Sequence, residues 1–249
     1  GFSRGLYQLE RTLKESGGTR PFVKVQTTGP CSFALTIVDE EKRSIYYNEE
    51  FRDIIVKALA MKSRWQIQKF KPYADNIICF IDEPILSAFG SSTYVSVERE
   101  DVIGVISEVV EAIHAEGALA GIHCCGNTEW SIPIEAGTDL VNFDAFNYGE
   151  TIAMYPDHVN ELFDRGGALA WGLVPTSGDV RDVTASTLAE KYEQLIDNLA
   201  GKGVNRDLIL DRTVVTPSCG TGSMPVEDAG AVFPLTNEVS AALRSKYGS

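Results

Sequence analysis

Residues 101–124 read DVIGVISEVVEAIHAEGALAGIHC, and this stretch predicts one complete helix–turn–strand unit. Over residues 101–115 the apolar side chains recur at three- and four-residue spacing, which is typical of a helix with one buried face. Gly117 follows at the point where the end of a helix favours a left-handed residue. Residues 119–124 then form a short, almost continuous apolar run, as in a parallel strand covered on both faces. The stretch therefore favours an α/β fold.

The same alternation of short apolar runs and longer amphipathic segments extends along the rest of the chain. Five further strands are predicted at 22–28, 76–82, 140–144, 168–174 and 208–216. Helices are predicted near 3–16, 49–70, 98–116, 129–136, 151–165, 184–200 and 225–246. Alternating strands and helices are typical of a parallel sheet covered by helices.

Six such units fit either an open, doubly wound sheet or part of a (β/α)₈ TIM barrel. The first predicted strand is not followed by the Gly-x-Gly-x-x-Gly pattern of a dinucleotide-binding site, which weakens the open-sheet interpretation. The sequence also opens on a helix-like segment instead of a strand. We therefore expect a TIM barrel that lacks its first one or two βα units. No shift in composition divides the chain, so residues 1–249 are predicted to form a single domain.

Composition excludes several classes of protein. The 249 residues carry 22 Lys and Arg against 35 Asp and Glu, a formal net charge of −13. This charge argues against binding to nucleic acid or to an anionic membrane surface, because both need a basic footprint. No apolar run approaches the ~20 residues of a membrane span, and the first residues lack the apolar core of a signal peptide. The odd count of five cysteines fits reduced thiols and predicts a cytoplasmic protein.

The segment around His123 carries the clearest chemical signal. On a strand, His123 and Cys125 project from one face while Cys124 points away, and an imidazole with a thiolate is half of a zinc site. Cys219 follows the last predicted strand at an equivalent position, and Asp144 ends the strand after the His-x-Cys segment. His123, Cys125 and Cys219 would leave a fourth position open, as in a catalytic zinc site. The alternative is that these cysteines are small buried residues, as we expect for Cys31, Cys79 and Cys124.

A second candidate site is the pair Asp82 and Glu83, which ends a predicted strand and precedes Pro84. An acidic group in a partly dry cleft would favour the ammonium group of a substrate. The alternative is that Asp82 caps the next element.

Three segments together resemble one known superfamily, that of the cobalamin-independent methionine synthases and uroporphyrinogen decarboxylases. Val23-Lys-Val-Gln-Thr-Thr-Gly-Pro30 is similar to a family strand that ends in Thr-Gly-Pro, and Ile81-Asp-Glu-Pro-Ile-Leu86 resembles the Asp-Glu-Pro segment of methionine synthases. The His123-x-Cys125 pair with Cys219-Gly220 is similar to the zinc-binding set. The resemblance is strongest to the zinc-dependent methyltransferases, which include the methylcobalamin:coenzyme M methyltransferases.

This resemblance implies a (β/α)₈ barrel with its site at the carboxyl ends of the strands. It implies zinc bound by His123, Cys125 and Cys219, and it places Asp144 where a glutamate completes the zinc set in methionine synthases. Asp82, with Glu83 beside it, would contact the amino group of homocysteine. The expected activity is methyl transfer to a small-molecule thiol, with methylcobalamin on a corrinoid protein as the donor.

Two other functions remain open from the sequence. One is a lyase similar to uroporphyrinogen decarboxylase, but that branch lacks the zinc triad, and neither Lys24 nor Arg212 lies at a strand end suited to a substrate carboxylate. The other is a non-catalytic relative that binds a corrinoid or another ligand.

Overall fold

The computed structural model describes residues 3–94 and 96–248. It shows a mixed α/β fold in which the order of the six strands in the sheet is the order of the sequence. The chain divides into two compact units. The first contains the described residues up to Glu83 together with Gly104–Gly121, and the second contains Pro84–Ile103 and the described residues from Ile122 onward.

The first unit contains the two amino-terminal strands and the helices that precede and connect them. Its helices and strands are α1 (Arg4–Ser16), β1 (Arg20–Thr28), α2 (Pro30–Thr36), α3 (Glu49–Phe70) and β2 (Ala74–Asp82). Short 3-10 helices lie at Ile45–Tyr47 and Lys71–Tyr73. Two elements belong partly to each unit: α4 (Arg99–His114) and β3 (Leu119–Cys124).

Strands β1 and β2 pair in parallel, with Val25 opposite Cys79 and Thr28 opposite Asp82. Burial alternates along β1, where Val23 and Val25 are buried and Lys24 is exposed. The expectation that every strand is covered on both faces is therefore wrong for β1. The reason is that only one face of this strand packs on apolar side chains.

The second unit contains the rest of the sheet. Its remaining elements are α5 (Ser131–Glu135), β4 (Leu140–Phe143), α6 (Ala145–Tyr148), α7 (Pro156–Asp164), β5 (Ala168–Val174), α8 (Ala185–Gly201), α9 (Arg206–Asp211), β6 (Thr213–Pro217) and α10 (Val226–Tyr247). Further 3-10 helices lie at Pro84–Ala88, Ser92–Tyr94, Gly149–Met154 and Gly178–Arg181.

Aromatic packing forms the centre of the second unit. Phe143 lies between Trp130 and Trp171, with ring centroids 5.6 Å and 5.0 Å away, and Trp171 meets Tyr192 edge-on at 5.4 Å. Strands β4 and β5, which pair in parallel, are buried almost throughout. The two tryptophans are therefore part of the core.

Two predicted elements differ in the structure. Residues 206–211 are helical, so the predicted strand at 208–216 is wrong in its first half. The Asn205 side chain accepts hydrogen bonds from the backbone N–H groups of Asp207 and Leu208, which starts a helix before the strand begins. The predicted helix at 151–165 is likewise interrupted, because Pro156 begins a separate helix after the 3-10 segment. Gly117 has a φ of 70°, which confirms the expected left-handed residue after α4.

Across the described residues we find no helix that combines the length and the apolar character needed to cross a membrane.

Candidate metal centre

The end of β3 places two metal-binding side chains on one face. Cys124 is buried, whereas the flanking His123 and Cys125 are only partly buried. This is the alternation that a strand imposes, since successive side chains point to opposite faces. His123 and Cys125 can therefore approach the same ion.

Cys219 is brought to this face by the segment that follows β6. The backbone N–H of Ser218 donates to the carbonyl oxygen of Val174 at 2.8 Å, and the Ser218 hydroxyl accepts from the N–H of Thr176 at 3.1 Å. Gly172 allows this close approach, because a Cβ there would lie 2.5 Å from the carbonyl oxygen of Phe143 and 2.8 Å from the Cα of Ser218. The segment is thus held against β5 immediately before Cys219.

The donor atoms of His123, Cys125 and Cys219 all lie within 4.8 Å of one another. Four ligands around one zinc ion lie roughly 3.3–3.8 Å apart, given Zn–S of about 2.3 Å and Zn–N of about 2.0 Å in a tetrahedron. A small contraction of the cluster would therefore satisfy a metal. The structure brings together the three residues that the sequence selects, although they come from two distant segments.

Asn142 fixes which nitrogen of His123 faces the cluster. The Asn142 amide nitrogen donates to the carbonyl oxygen of Ala170 at 2.8 Å and to the Thr216 hydroxyl at 2.9 Å. Its oxygen lies 2.7 Å from Nδ1 of His123 and must therefore accept a hydrogen bond from the Nδ1–H group. The Nε2 atom then carries the lone pair, and it is buried without a hydrogen-bond partner. A buried lone pair without a hydrogen-bond partner fits a position where the imidazole would bind a metal.

The two thiols influence each other strongly. The hydrogen bond between them raises the pKa of Cys125 and lowers the pKa of Cys219. The pair therefore favours a thiolate at Cys219. Since the thiolate is the form that binds metal, this electrostatic arrangement favours a divalent cation.

Asp144 does not join the three donors in the structure. Its carboxylate accepts from the backbone N–H of Asn147 at 2.9 Å and from the Asn147 side chain at 2.7 Å, which caps α6. The partner of His123 is Asn142 instead. To act as a fourth ligand, Asp144 would have to exchange its bonds to Asn147 for the metal, and this role stays a prediction.

Asp82 and Glu83 lie in the first unit. Asp82 accepts a hydrogen bond from the Gln26 amide at 2.9 Å. Glu83 is fully buried, and its two oxygens accept from the N–H of Cys31 at 2.8 Å and from the N–H and hydroxyl of Ser32, both at 2.7 Å. Burial nevertheless raises the pKa of Glu83 to about 7. Glu83 thus ties the end of β2 to the start of α2, whereas Asp82 is the more accessible of the two acids.

The five cysteines are free thiols. Cys31, Cys79 and Cys124 are buried, as the sequence predicts for residues of the core. Burial raises the pKa of Cys79 to about 11 and, together with Glu83, raises the pKa of Cys31. The two cysteines of the candidate metal centre are therefore distinguished from the other three by their exposure, and Cys219 also by its lowered pKa.

No family model and no curated protein matches this chain. Among solved structures, the chain is similar to a proposed fructose-1,6-biphosphate aldolase from Coccidioides immitis, with 12% identity, 97% of this chain and 83% of that chain covered, and a TM-score of 0.36. It is also similar to a β-methylaspartase from Clostridium tetanomorphum in a magnesium complex, with 13% identity, 97% and 63% covered, and a TM-score of 0.34. Scores this low carry no argument about the activity of this chain.

Proposed function

We propose that this protein is a zinc-dependent methyltransferase that methylates the sulfur of a small thiol. The observation that supports the proposal is the cluster of one imidazole nitrogen and two sulfur atoms within 4.8 Å. Three protein ligands are one fewer than a structural zinc site uses, which leaves a position for a substrate. The resemblance to zinc-dependent methyltransferases supplies the type of reaction, and the alternation of strands and helices agrees with the barrel that those enzymes have.

In this proposal each residue of the cluster has a defined task. His123 would bind the ion through Nε2, because Asn142 holds the proton on Nδ1. Cys219 would bind as a thiolate, and Cys125 would release its proton when the metal binds. When bound, the zinc ion would accept the sulfur of the substrate and favour its thiolate form at neutral pH.

The reaction forms a carbon–sulfur bond and breaks the bond between the methyl group and its donor. The thiol of the acceptor loses its proton, and the donor leaves with the electron pair of the broken bond. We propose methylcobalamin on a corrinoid protein as the donor, and homocysteine or coenzyme M as the acceptor. Asp82 is proposed to bind the amino group if the acceptor is homocysteine.

The proposal is tested by metal content and by methyl transfer on the same samples. The purified protein is expected to bind about one zinc ion per chain and, with added methylcobalamin, to convert at least one of the two thiols to its S-methyl product, detected by mass spectrometry. The Cys219→Ser and Cys125→Ser variants are expected to lose most of both properties. The matched control is Cys124→Ala, which changes the neighbouring cysteine on the opposite face of β3 and is expected to keep the metal.

Each outcome has a definite meaning. Full zinc content and full activity in Cys219→Ser would show that the ligand assignment is wrong. A protein that binds zinc at the cluster but transfers no methyl group to either thiol, from free or protein-bound methylcobalamin, would overturn the methyltransferase proposal and favour a ligand-binding relative. Release of carbon dioxide from a porphyrinogen carboxylate without zinc would favour the lyase.

A further inference from the structure

Helix α3 has two apolar faces, and only one of them is buried. The inner face includes Ile55, Leu59 and Ile67, which are at most 7% exposed. On the opposite face lie five apolar residues that are all exposed to solvent: Phe51, Ile54, Ala58, Met61 and Trp65. We call these five residues the α3 stripe.

The spacing of the α3 stripe is that of a helix–helix contact. Its members follow one another at intervals of three, four, three and four residues, beginning with Phe51 and Ile54, as in the seam of a coiled coil. The stripe extends for about 21 Å along the helix at 1.5 Å per residue. Phe51 and Ile54 are each 54% exposed, Met61 is 68% exposed and Trp65 is 46% exposed. Single exposed apolar residues are common, whereas a continuous row of this kind marks an interaction surface.

The stripe is nearly symmetrical about its smallest member. Ala58 lies at the centre, Phe51 and Trp65 each stand seven residues from it, and Ile54 and Met61 stand four and three residues away. Two copies of the helix in antiparallel orientation would therefore meet most closely near Ala58. Phe51 of each copy would then lie beside Trp65 of the other. This arrangement satisfies a two-fold axis, in which the same surface is used by both partners.

Three charged residues flank the stripe on one side. Glu50 lies at the amino-terminal end of that side, Lys57 near the centre and Arg64 at the carboxyl-terminal end, at seven-residue intervals. Within the chain, Lys57 pairs with Asp53 and Glu108, and Arg64 pairs with Glu116. In an antiparallel pair centred on Ala58, Glu50 of one helix lies beside Arg64 of the other, whereas a parallel pair would place Arg64 beside Lys69, which is unfavourable.

The basic end of the stripe also continues onto α1. The Lys69 ammonium lies over the ring of Tyr7 at 5.0 Å and over the ring of Trp65 at 5.8 Å, and Tyr7 is 54% exposed. The aromatic surface at this end is therefore larger than one helix provides.

From the spacing, the symmetry and the charge distribution, we infer that the α3 stripe is the interface of a homodimer in which two copies of α3 pack antiparallel. The inference does not depend on the proposed function, because the α3 stripe contains none of the residues of the metal centre. An interface centred on one helix pair is small, so we expect a Kd on the order of 10 μM.

The first test measures the mass of the full chain by analytical ultracentrifugation from about 1 to 200 μM, a range chosen around the Kd expected for a small interface. The wild-type chain is expected to change from monomer to dimer over this range. Met61→Glu is expected to raise the Kd by about 100-fold or more, because it places two unpaired charges in the contact. The matched control is Met154→Glu, since Met154 is 70% exposed and lies outside the α3 stripe.

The second test is a charge exchange that depends on the orientation of the helices. Glu50→Lys and Arg64→Glu are each expected to raise the Kd by about fivefold, and the double variant is expected to restore it. A wild-type chain that stays monomeric at 200 μM overturns the proposal, as does a dimer that Met61→Glu leaves intact. A dimer that Met61→Glu disrupts, but whose charge variants do not compensate, overturns the antiparallel arrangement.

Discussion

The Asn142 amide oxygen lies 2.7 Å from Nδ1 of His123, and this contact orients the imidazole of the candidate metal centre. Asn142 reaches His123 from the neighbouring β4 while its own amide nitrogen is anchored on Ala170 and Thr216. The His123 imidazole is therefore oriented by Asn142, whose own position is fixed by two further hydrogen bonds. Such indirect support keeps a ligand in the tautomer and direction that the metal needs.

Removal of this support is expected to weaken metal binding. Asn142→Ala should lower zinc affinity by about 10- to 100-fold, because His123 loses the acceptor that fixes its tautomer. Asn142→Asp should keep more affinity than the alanine variant, since a carboxylate also accepts a hydrogen bond from Nδ1–H. Competition with a chromogenic chelator measures both affinities. Equal affinities in the wild type and Asn142→Ala, with the fold intact by circular dichroism, would contradict a positioning role.

Metal binding should also stabilise the second unit. A ligand that binds only the folded state adds about 2.7 kcal/mol when its free concentration is 100 times its Kd, which corresponds to roughly 5–10 °C in the midpoint of thermal unfolding. We expect a chelator to lower the midpoint of the wild type by this amount and to leave Cys219→Ser unchanged. Cys124→Ala should respond to the chelator as the wild type does. A wild-type midpoint that is the same with and without chelator would argue against a metal at this cluster.

The sequence predicts the site better than it predicts the residues that support the site. His123 and Cys125 are found because strand alternation places them on one face, and Cys219 is found because it follows a strand at an equivalent position. Asn142 is missed, although an amide in the apolar run Leu-Val-Asn-Phe is a signal that a buried hydrogen-bond network is present. Its partners come from β3, β5 and β6, and such contacts cannot be derived from spacing along the chain.

The same limit applies to the fold. Most predicted helices and strands are present because apolar periodicity reports which side of an element is covered. The periodicity fails at 208–211, where Leu208 and Ile209 fit either a strand or a helix and the Asn205 cap decides for the helix.

Asp82 should influence the choice of acceptor. If its charge binds an amino group, Asp82→Asn should raise the KM for homocysteine by about 10-fold or more and leave the KM for coenzyme M, which has no amino group, unchanged. Asparagine keeps an oxygen that can accept the hydrogen bond from Gln26, so the local structure is preserved. Gln26→Ala is the control, because it removes that contact and retains the charge. An equal effect of Asp82→Asn on both thiols would argue against recognition of the amino group.

Glu83 should make stability depend on pH in a direction opposite to that of most carboxylates. Three hydrogen bonds from Cys31 and Ser32 favour its ionised form, but complete burial has the larger effect and raises the pKa from 4.5 to about 7. Below pH 4.5 the carboxyl is protonated in both the folded and the unfolded chain. Between pH 4.5 and 7 only the unfolded chain releases the proton, so the free energy of unfolding falls as the pH rises.

The decrease in the free energy of unfolding that Glu83 causes should reach at most about 3 kcal/mol at pH 7 and remain constant above it. Glu83→Gln cannot ionise, and it should therefore lack this decline even though it loses one acceptor for the bonds from Cys31 and Ser32. Urea unfolding of both proteins at pH 5, 6, 7 and 8, with a chelator present throughout, gives the two curves. As the pH rises, the free energy of unfolding of Glu83→Gln should increase relative to that of the wild type by up to about 3 kcal/mol. Other titrating groups contribute equally to both proteins and cancel in this comparison. Parallel curves would show that burial does not control the ionisation of Glu83.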